Sequence, residues 1–458
     1  MSASVLRLGV ARFSPNSPVG GLRQLAQIIS AESLVRVRED GRAEALLSSG
    51  WTFSPDGRSI IFQLRQGVKF HDGSPLTSQT VASLLPGALK SLIGPVYSDI
   101  EAVRSSGDTA VEVRFQRAAP FLLEAFEAPI QKAGTTVIGT GPFMVPAETP
   151  TELRANLDYY LGRPFIQRIT VTNYPSVRTA WAEMLRGNVD WLYDVDNDGL
   201  VGLEGNSTVE IFKYVRHYQY AIAFNSEAPG LKPKDVRRAL NFAIDRPALV
   251  QGALGGNGIP SSTPVPPQHW AFRSDLPTFA LDSQRAAALL KKGFHFSCLF
   301  PPEAVNERLA LELKRQLAEV GIDMQVEELP QEQIRERFKN GQFEAALIET
   351  LSGPTLFRPY LFWHTAGSQN PGRLGNSTVD DALDRLRFAS SEDEYRQAVG
   401  GLQQAFVDDP PAIFLAWAGR ARAVSKRFVV PPPEPGRDIL GTLRLWKPAG
   451  DAKLASLH

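Results

Sequence analysis

RQGVKFHDGSPLTSQTVASLL (residues 65–85) packs a strand, a hard turn and a helix start into little chain. Val68 and Phe70 alternate with Gly67 and Lys69, as in a half-buried strand. Asp72-Gly73 supplies a turn, because glycine accepts positive φ without a Cβ clash. Pro75 stiffens the exit, and Thr77 caps a helix that buries Val81, Leu84 and Leu85. Pro86 is expected to interrupt that helix. The stretch holds no nucleophile and no metal cage, so it reads as scaffold.

Its surroundings have the same character. FSPDGRSIIFQLRQGVKF and DTAVEVRF read as antiparallel strands with tight turns, so Trp51 to about Gln131 forms a small α+β domain. Outside it, one unit recurs. In SVRTAWAEMLRGNVDWLYDV (176–195) Ser176 caps a helix carrying Ala180, Trp181, Met184 and Leu185; Gly187 stops it and a strand follows from Val189. QEQIRERFKNGQFEAALIET (331–350) repeats the plan through Ile334, Phe338, Gly341 and a strand from Phe343 to Ile348. NERLALELKRQLAEVGIDMQVEEL (306–329) is a third copy, with its stripe at Leu309, Leu313, Leu317 and Val320 and its stop at Gly321. Alternating helices and strands imply α/β layers, and copies so far apart suggest two lobes rather than one sheet. Between them, Tyr220, Ile222 and Phe224 alternate as a strand, Val236 to Ile244 builds a helix, and Asp245 with Pro247 restarts one. GGNGIPSSTPVPP (255–267) reads as a loop.

The 458 residues imply two or three domains. Hydrophobic residues are 43% and charged residues 21%, an ordinary soluble balance. Lys+Arg and Asp+Glu both number 49, which argues against nucleic acid as the main partner, since phosphate binding leaves a basic excess. There is no apolar run of about 18 residues, the length a transmembrane helix requires. The single cysteine, Cys298, excludes an internal disulfide and reads as a buried small hydrophobe. MSASVLRLGVARF lacks a basic, an apolar and a cleavage region, so the expectation is either a trimmed chain or a cytoplasmic one.

No phosphate loop, dinucleotide fingerprint, nucleophile elbow or zinc-protease motif occurs, and the six histidines show no helical ligand spacing. DVDNDG (194–199) matches the start of a calcium loop through Asp194, Asp196 and Asp198, but position twelve is Gly205, with Glu204 one residue early. The simpler reading is a polar loop after a strand, and neither cofactor nor metal is expected. GNSTVE (205–210) and GNSTVD (375–380) contain N-x-[ST]; in the second, Asn376 or Ser377 caps the helix bearing Leu383 and Leu386. In open α/β sheets ligands sit beyond the carboxyl ends of strands, here Arg12-Phe13, Asp194–Asp196 and Glu349–Ser352. Aromatic runs YLFWHT (360–365) and FLAWAG (414–419) offer either core or pocket walls.

WTFSPDGRSIIFQLRQGVKFHDGSPLTSQTVASLL as a whole resembles the signature region of the family-five extracellular solute-binding proteins, the peptide- and nickel-type receptors of ABC importers. IGTGPFMV (138–145), FIQRITVTNYPSVRTAWAEMLRGNVDW, AFNSEAP followed by DVRRALNFAIDRPALVQGAL, and STVDDALDRL resemble further family elements in the same order. The resemblance runs from about Leu6 to about Val424. It implies an α/β, two-lobed periplasmic-binding-protein fold of the type II-like kind, with an additional small α+β domain inserted in the first lobe. Residues 1–35, 135–224 and 425–458 would form the first lobe, 36–134 the insert and 225–424 the second lobe, with crossings near Asn225 and Val424. The opening stretch would then close a corner of the insert, away from ligand.

The implied function is a substrate-binding receptor that captures a peptide-like or other small solute between the lobes and delivers it to an ABC permease. It would act as a monomer in the periplasm or outside the cell, without nucleic acid and without catalysis. The alternative is a cytoplasmic ligand-sensing module related to solute-binding domains of transcription regulators. An enzyme using the same cleft is a third class, set against the missing nucleophile–base pair. Peptide-binding members carry an acid after the strand equivalent to 343–349 that pairs with the ligand's ammonium. Here ETLSGPTLFRPYLFWHT has no Asp; Glu349 precedes that place and Arg358 adds positive charge. The expected ligand-lining residues are Phe13, Glu349, Ser352, Trp363 and Trp417, with Arg358 and His364 beside them.

Overall fold

The computed structural model describes residues 4–11, 25–132, 137–146, 151–195, 197–203, 205–290, 293–370, 374, 376–433 and 437–450. Two long strands organise them. Val209–Phe224 and Ala412–Ser425 pair antiparallel from Val209↔Ser425 to Ala223↔Ala412. On one side they continue through Ala345–Leu351, His295–Phe300 and Asp323–Glu328. On the other they continue through Trp191–Val195, Val5–Ala11, Arg168–Tyr174, Glu152–Ala155 and Phe143–Met144. The recurring helix–Gly–strand units therefore lie in two lobes of one continuous sheet, not in separate sheets as the spacing of the copies suggested. The reason is length: a strand of 16 residues reaches beyond one lobe.

Burial alternates along the sheet as its pleat requires. In the second lobe Tyr220, Ile222 and Phe224 pack on one face, while Ala221 and Ala223 face a different cluster. Trp191 and Leu192 divide between two first-lobe clusters in the same way, and Leu6, Leu8 and Val10 join Trp191 and Trp446. Local signals hold the helices. Thr77, Ser176, Asp245 and Asn376 each accept a backbone N–H at their helix N-terminus. Gly341 closes its helix in the left-handed conformation, and Gly187 and Gly321 take positive φ at the corresponding stops. Cys298 is buried, and burial pushes its thiol up to about 12.

Two local expectations are corrected. Pro86 lies inside the helix Ser78–Ile93 without ending it. The missing N–H costs one hydrogen bond, but the buried stripe Val81, Leu85, Leu89 and Ile93 runs straight past it and outweighs that loss. Within the Gly/Pro-rich stretch 255–267, Gly258–Pro260 forms a short strand on Ala416–Ala418.

The small domain is a four-stranded antiparallel sheet in the order Ser48–Phe53, Ser59–Leu64, Ala110–Phe115, Ile100–Ser106, with the helix Ser78–Ile93 against it. The opening stretch is its anchor. Asp72 accepts from Ser74 N and from Lys132 Nζ, and Gly73 takes positive φ. His71 donates its backbone N–H to Gly139 O, and its Nε2 lies 3.0 Å from Gly141 O. This joins the turn to the Gly-Thr-Gly element of the first lobe. A Cβ at Gly139 would fall 2.0 Å from Ser30 O, which is why that element is built of glycine.

The insert also shares one hydrophobic cluster with the second lobe: Phe62, Phe121 and Phe126 belong with Phe357, Trp363, Tyr395 and Phe414. Polar contacts reinforce the union. Arg387 grips Asp99 through Nε and Nη2 at 2.7 and 2.8 Å, with both side chains largely buried. In the short 3-10 helix Pro120–Glu127, Glu124 accepts from Tyr395 Oη at 2.9 Å and Leu356 N at 2.9 Å. Burial outweighs these bonds and pushes the Glu124 carboxyl up to about 7.

Two outcomes are expected. Gly139→Ala destabilises the protein by about 1–3 kcal/mol in urea unfolding, because the backbone carbonyl of Ser30 cannot move aside as a side chain would. An unfolding free energy equal to the parent's would refute the close approach. For Glu124 the folded value lies above the unfolded one, so its stabilising contribution is complete below pH about 4.5 and is lost as pH rises through about 7. The loss is about 3 kcal/mol by linkage. Glu124→Gln is expected to flatten the decline in unfolding free energy between pH 5 and pH 8, and parallel curves for variant and parent would count against it.

Candidate functional site

The pairing of the two long strands shifts register twice near their middle, between Val215 and Gln219 and again between Tyr220 and Ala221, where Leu415 is skipped; the first shift is the larger. Val215 faces Gly419 and Gln219 faces Trp417, so Arg216, His217 and Tyr218 stand opposite Ala418 alone. Such a bulge re-aims side chains and ends regular pairing. Burial changes at the same place: residues 210–218 are at least partly exposed, whereas 219–224 are all buried. On the partner strand, Gly419 and Arg420 form a half-exposed break in an otherwise buried run.

Charged groups gather at this break. Arg216 Nη1 lies 3.2 Å from Glu349 Oε1, and Arg420 Nη2 lies 3.6 Å from the same oxygen. Arg420 also reaches Asp194 at 3.9 Å and donates to Tyr220 Oη at 3.3 Å. Burial opposes the charge on Arg420, but Tyr220, Asp194 and Glu349 together outweigh it and hold the guanidinium above its ordinary range. His217 Nε2 sits 3.0 Å from a Glu39 oxygen, and its backbone carbonyl accepts from Ser352 N at 2.8 Å and Gly353 N at 3.2 Å. The bulge thus fixes the chain that leaves the strand Ala345–Leu351. Arg358 on that chain donates to Gly353 O and to Glu127 Oε2.

Several buried polar atoms here have no partner among the described residues: Arg358 Nε, Thr355 Oγ1, Gln219 Oε1, Trp417 Nε1 and Asp194 Oδ1. An unsatisfied buried polar group costs about 1–3 kcal/mol; such atoms also occur elsewhere, as at Trp191 and Trp363, but here they stand beside the ion pairs, where a ligand or water could pair them.

The residues expected from sequence separate into groups. Ser352, Arg358 and Trp417 meet at Gly353, the Trp417 ring lying 3.4 Å from where a Gly353 Cβ would stand, while Glu349 sits at the strand break with Arg216 and Arg420. Glu349 is 32% exposed but already engaged by two guanidiniums, whereas Ser352 is buried and lies 3.2 Å from Thr350 Oγ1. Trp363 is 0% exposed and packs edge-on against Phe414 and Phe406, in the core rather than at the break. His364 ends the helix Phe357–Trp363, stacked on Tyr360 and 3.6 Å from Asp384. Phe13, Arg12, Asp196 and the Asp198 side chain lie outside the described residues, so the calcium-loop pattern is represented by Asp194 alone. Sequence reasoning missed Arg216, His217, Arg420, Glu39 and Glu127. The one available signal was YVRHYQY (214–220), where charge interrupts an otherwise strand-like pattern.

The profile described as Bacterial extracellular solute-binding proteins, family 5 Middle, matches residues 43–372. The "Probable D,D-dipeptide-binding periplasmic protein DdpA" of Escherichia coli K12 is 24% identical over 440 residues, covering 87% of this chain and 84% of that protein. The oligopeptide-binding protein AppA of Bacillus subtilis is 23% identical over 441 residues, covering 85% and 81%. In fold, NikZ from Campylobacter jejuni, solved in complex with Ni(L-His), superposes with a TM-score of 0.82 at 20% identity, covering 98% of this chain and 100% of that one. With a profile match across most of its length, this chain belongs to family 5 of the bacterial extracellular solute-binding proteins.

Proposed function

We propose that this receptor, serving an ABC importer in the periplasm or outside the cell, captures a small peptide-like solute at the strand break and hands it to the membrane permease. The observation that carries the reading is the bulge at Arg216–Tyr218, which sets guanidiniums and carboxylates beside orphaned buried donors and acceptors. A peptide-like solute brings both signs of charge and amide groups, which match Arg216, Arg420, Glu349 and Asp194 with the unpaired Thr355, Gln219 and Trp417 atoms. Relatives whose names specify a dipeptide and an oligopeptide support that class, and the periplasmic setting named for the first favours the receptor over a cytoplasmic sensor.

The contact set is Glu349, Ser352, Arg358 and Trp417, joined by Arg216, His217 and Arg420. These side chains pair as ions and hydrogen bonds, an arrangement that holds charge without turning solute over. The division follows the expected first lobe (1–35, 135–224 and 425–458), insert (36–134) and second lobe (225–424), except that the crossings move from Asn225 and Val424 back to the strand break, near Arg216–Tyr218 and Ala418, which serves as the hinge and leaves Tyr220–Phe224 with the second lobe. One chain carries the whole site, consistent with a monomer.

The test uses pooled synthetic peptides of two to five residues. Native mass spectrometry selects the retained peptides, and small-angle scattering follows the chain with and without them. A bound peptide is expected to compact the protein and raise its Tm. Arg420→Met and Arg216→Met should each weaken binding by about 1–3 kcal/mol. A retained peptide that neither compacts the chain nor responds to either variant would sink the assignment.

A further inference from the structure

A second chamber, about 750 Å³, lies between the insert and the second lobe, and none of its lining residues belongs to the strand break. Its volume is in the range of small-molecule sites. Trp51 and Phe53, two residues apart on one strand, form the insert's wall. Trp270 and Tyr395 form the opposite lobe's wall, stacked 5.4 Å apart with planes 12° from parallel.

The charged lining groups are mostly acidic. Glu124 is a buried lining residue, while Asp56 and Glu392 line more exposed parts. Among the described residues the one lining cation, Arg42, is held 3.3 Å from Glu392 with its guanidinium 4.4 Å from the Trp270 ring centre. Arg396 also lies over that ring, at 5.3 Å, from outside the lining. His269 stacks behind Trp270 and stays neutral, since burial drives it down to about 4. Two carboxylates and the Glu124 carboxyl, which a bound cation would help to ionise, thus face one lining guanidinium across aromatic walls, and Trp270 already receives cations on its face. Aromatic faces attract cations through their quadrupole, and a carboxylate fixes the orientation of an ammonium.

We propose that this chamber is a second ligand site, for a small arylalkylammonium whose ring lies against the Trp51–Phe53 and Trp270–Tyr395 walls and whose ammonium meets Glu124. Glu124 Oε1 accepts the Tyr395 hydroxyl, and a carboxylate oxygen can accept a second donor. Ring and charge together account for both the apolar walls and the acidic excess.

Calorimetric titration of the full chain with phenethylammonium chloride tests this, with 3-phenylpropionate as the matched anion. One molar equivalent of the amine is expected to bind, at least tenfold tighter than the anion. Trp51→Ala and Glu124→Gln should each weaken the amine at least tenfold, and Trp417→Ala, at the strand break, should leave it unchanged. Trp51 is partly exposed on its sheet, so Trp51→Ala decides the matter if Glu124→Gln fails to fold. No binding at 10-millimolar scale, equal binding of amine and anion, or loss on Trp417→Ala but not on Trp51→Ala would overturn the proposal. Such outcomes leave peptide capture at the strand break untouched, because the two sites share no residue.

Discussion

The antiparallel pairing of Val209–Phe224 with Ala412–Ser425 is the constraint on which the rest of the molecule depends. A strand of 16 residues spans roughly 50 Å, enough to enter both lobes without a turn. Its outer neighbours differ at each end: Ala345–Leu351 joins the second-lobe half, and Trp191–Val195 joins the first-lobe half through the partner strand. Two lobes joined by continuous backbone cannot slip in register, since a one-residue slip would turn every buried side chain outward. The larger of the two interruptions of this ladder, at Arg216–Tyr218, is also where the charged groups gather.

Comparison with other buried guanidiniums shows what is unusual there. Arg246 is fully enclosed yet meets the carbonyls of Phe414, Asn241 and Phe279 and the Asn241 amide oxygen, and burial without a counter-ion draws it down to about 9. Arg422 is held by both oxygens of Asp438 and by Tyr193 O. Arg237 binds Asp409 and three carbonyls. These are structural charges, saturated by fixed acceptors as burial demands. Around Gly353 the account is incomplete: Arg358 has an idle Nε, Trp417 an idle indole N–H and Thr355 an idle hydroxyl among the described residues.

Local structure was legible in the sequence wherever a single residue determines it. The caps at Thr77, Ser176, Asp245 and Asn376 and the stops at Gly187, Gly321 and Gly341 each follow from one side chain or its absence. The ordered motifs conveyed the two-lobed fold and family. What stayed hidden depends on distant pairing. A bulge is a mismatch between two strands some 200 residues apart, and neither strand's alternation reports it. Trp363 and Trp417 sit in equally apolar contexts, so sequence left each open between core and pocket; only the fold sets Trp363 among Phe406 and Phe414 and Trp417 beside Gly353. Pro86 misled because propensity spoke against a helix that its buried stripe sustains.

The insert's attachment bears on how such a receptor moves. Its corner is tied to the first lobe through His71 and Gly139, but its core is continuous with the second lobe. Separating insert from second lobe would expose Phe121, Phe357 and Tyr395 and strip Arg387 from Asp99. Breaking a buried pair of that kind alone costs about 3–5 kcal/mol. Ties to the first lobe exist as well: the His71 bonds, the isolated pairings of Glu32 with Ile130 and of Lys132 with Ile138, the backbone bonds from Leu46–Ser48 to Ser33 and Leu34, and the ion pairs Lys69–Asp158 and Arg437–Glu44. Glu127 belongs to the insert yet holds Arg358, and Glu124, three residues earlier, receives Leu356 N. The insert therefore sets the geometry of the chain that leaves the second-lobe strand, and any displacement that keeps the site intact must carry insert and second lobe together.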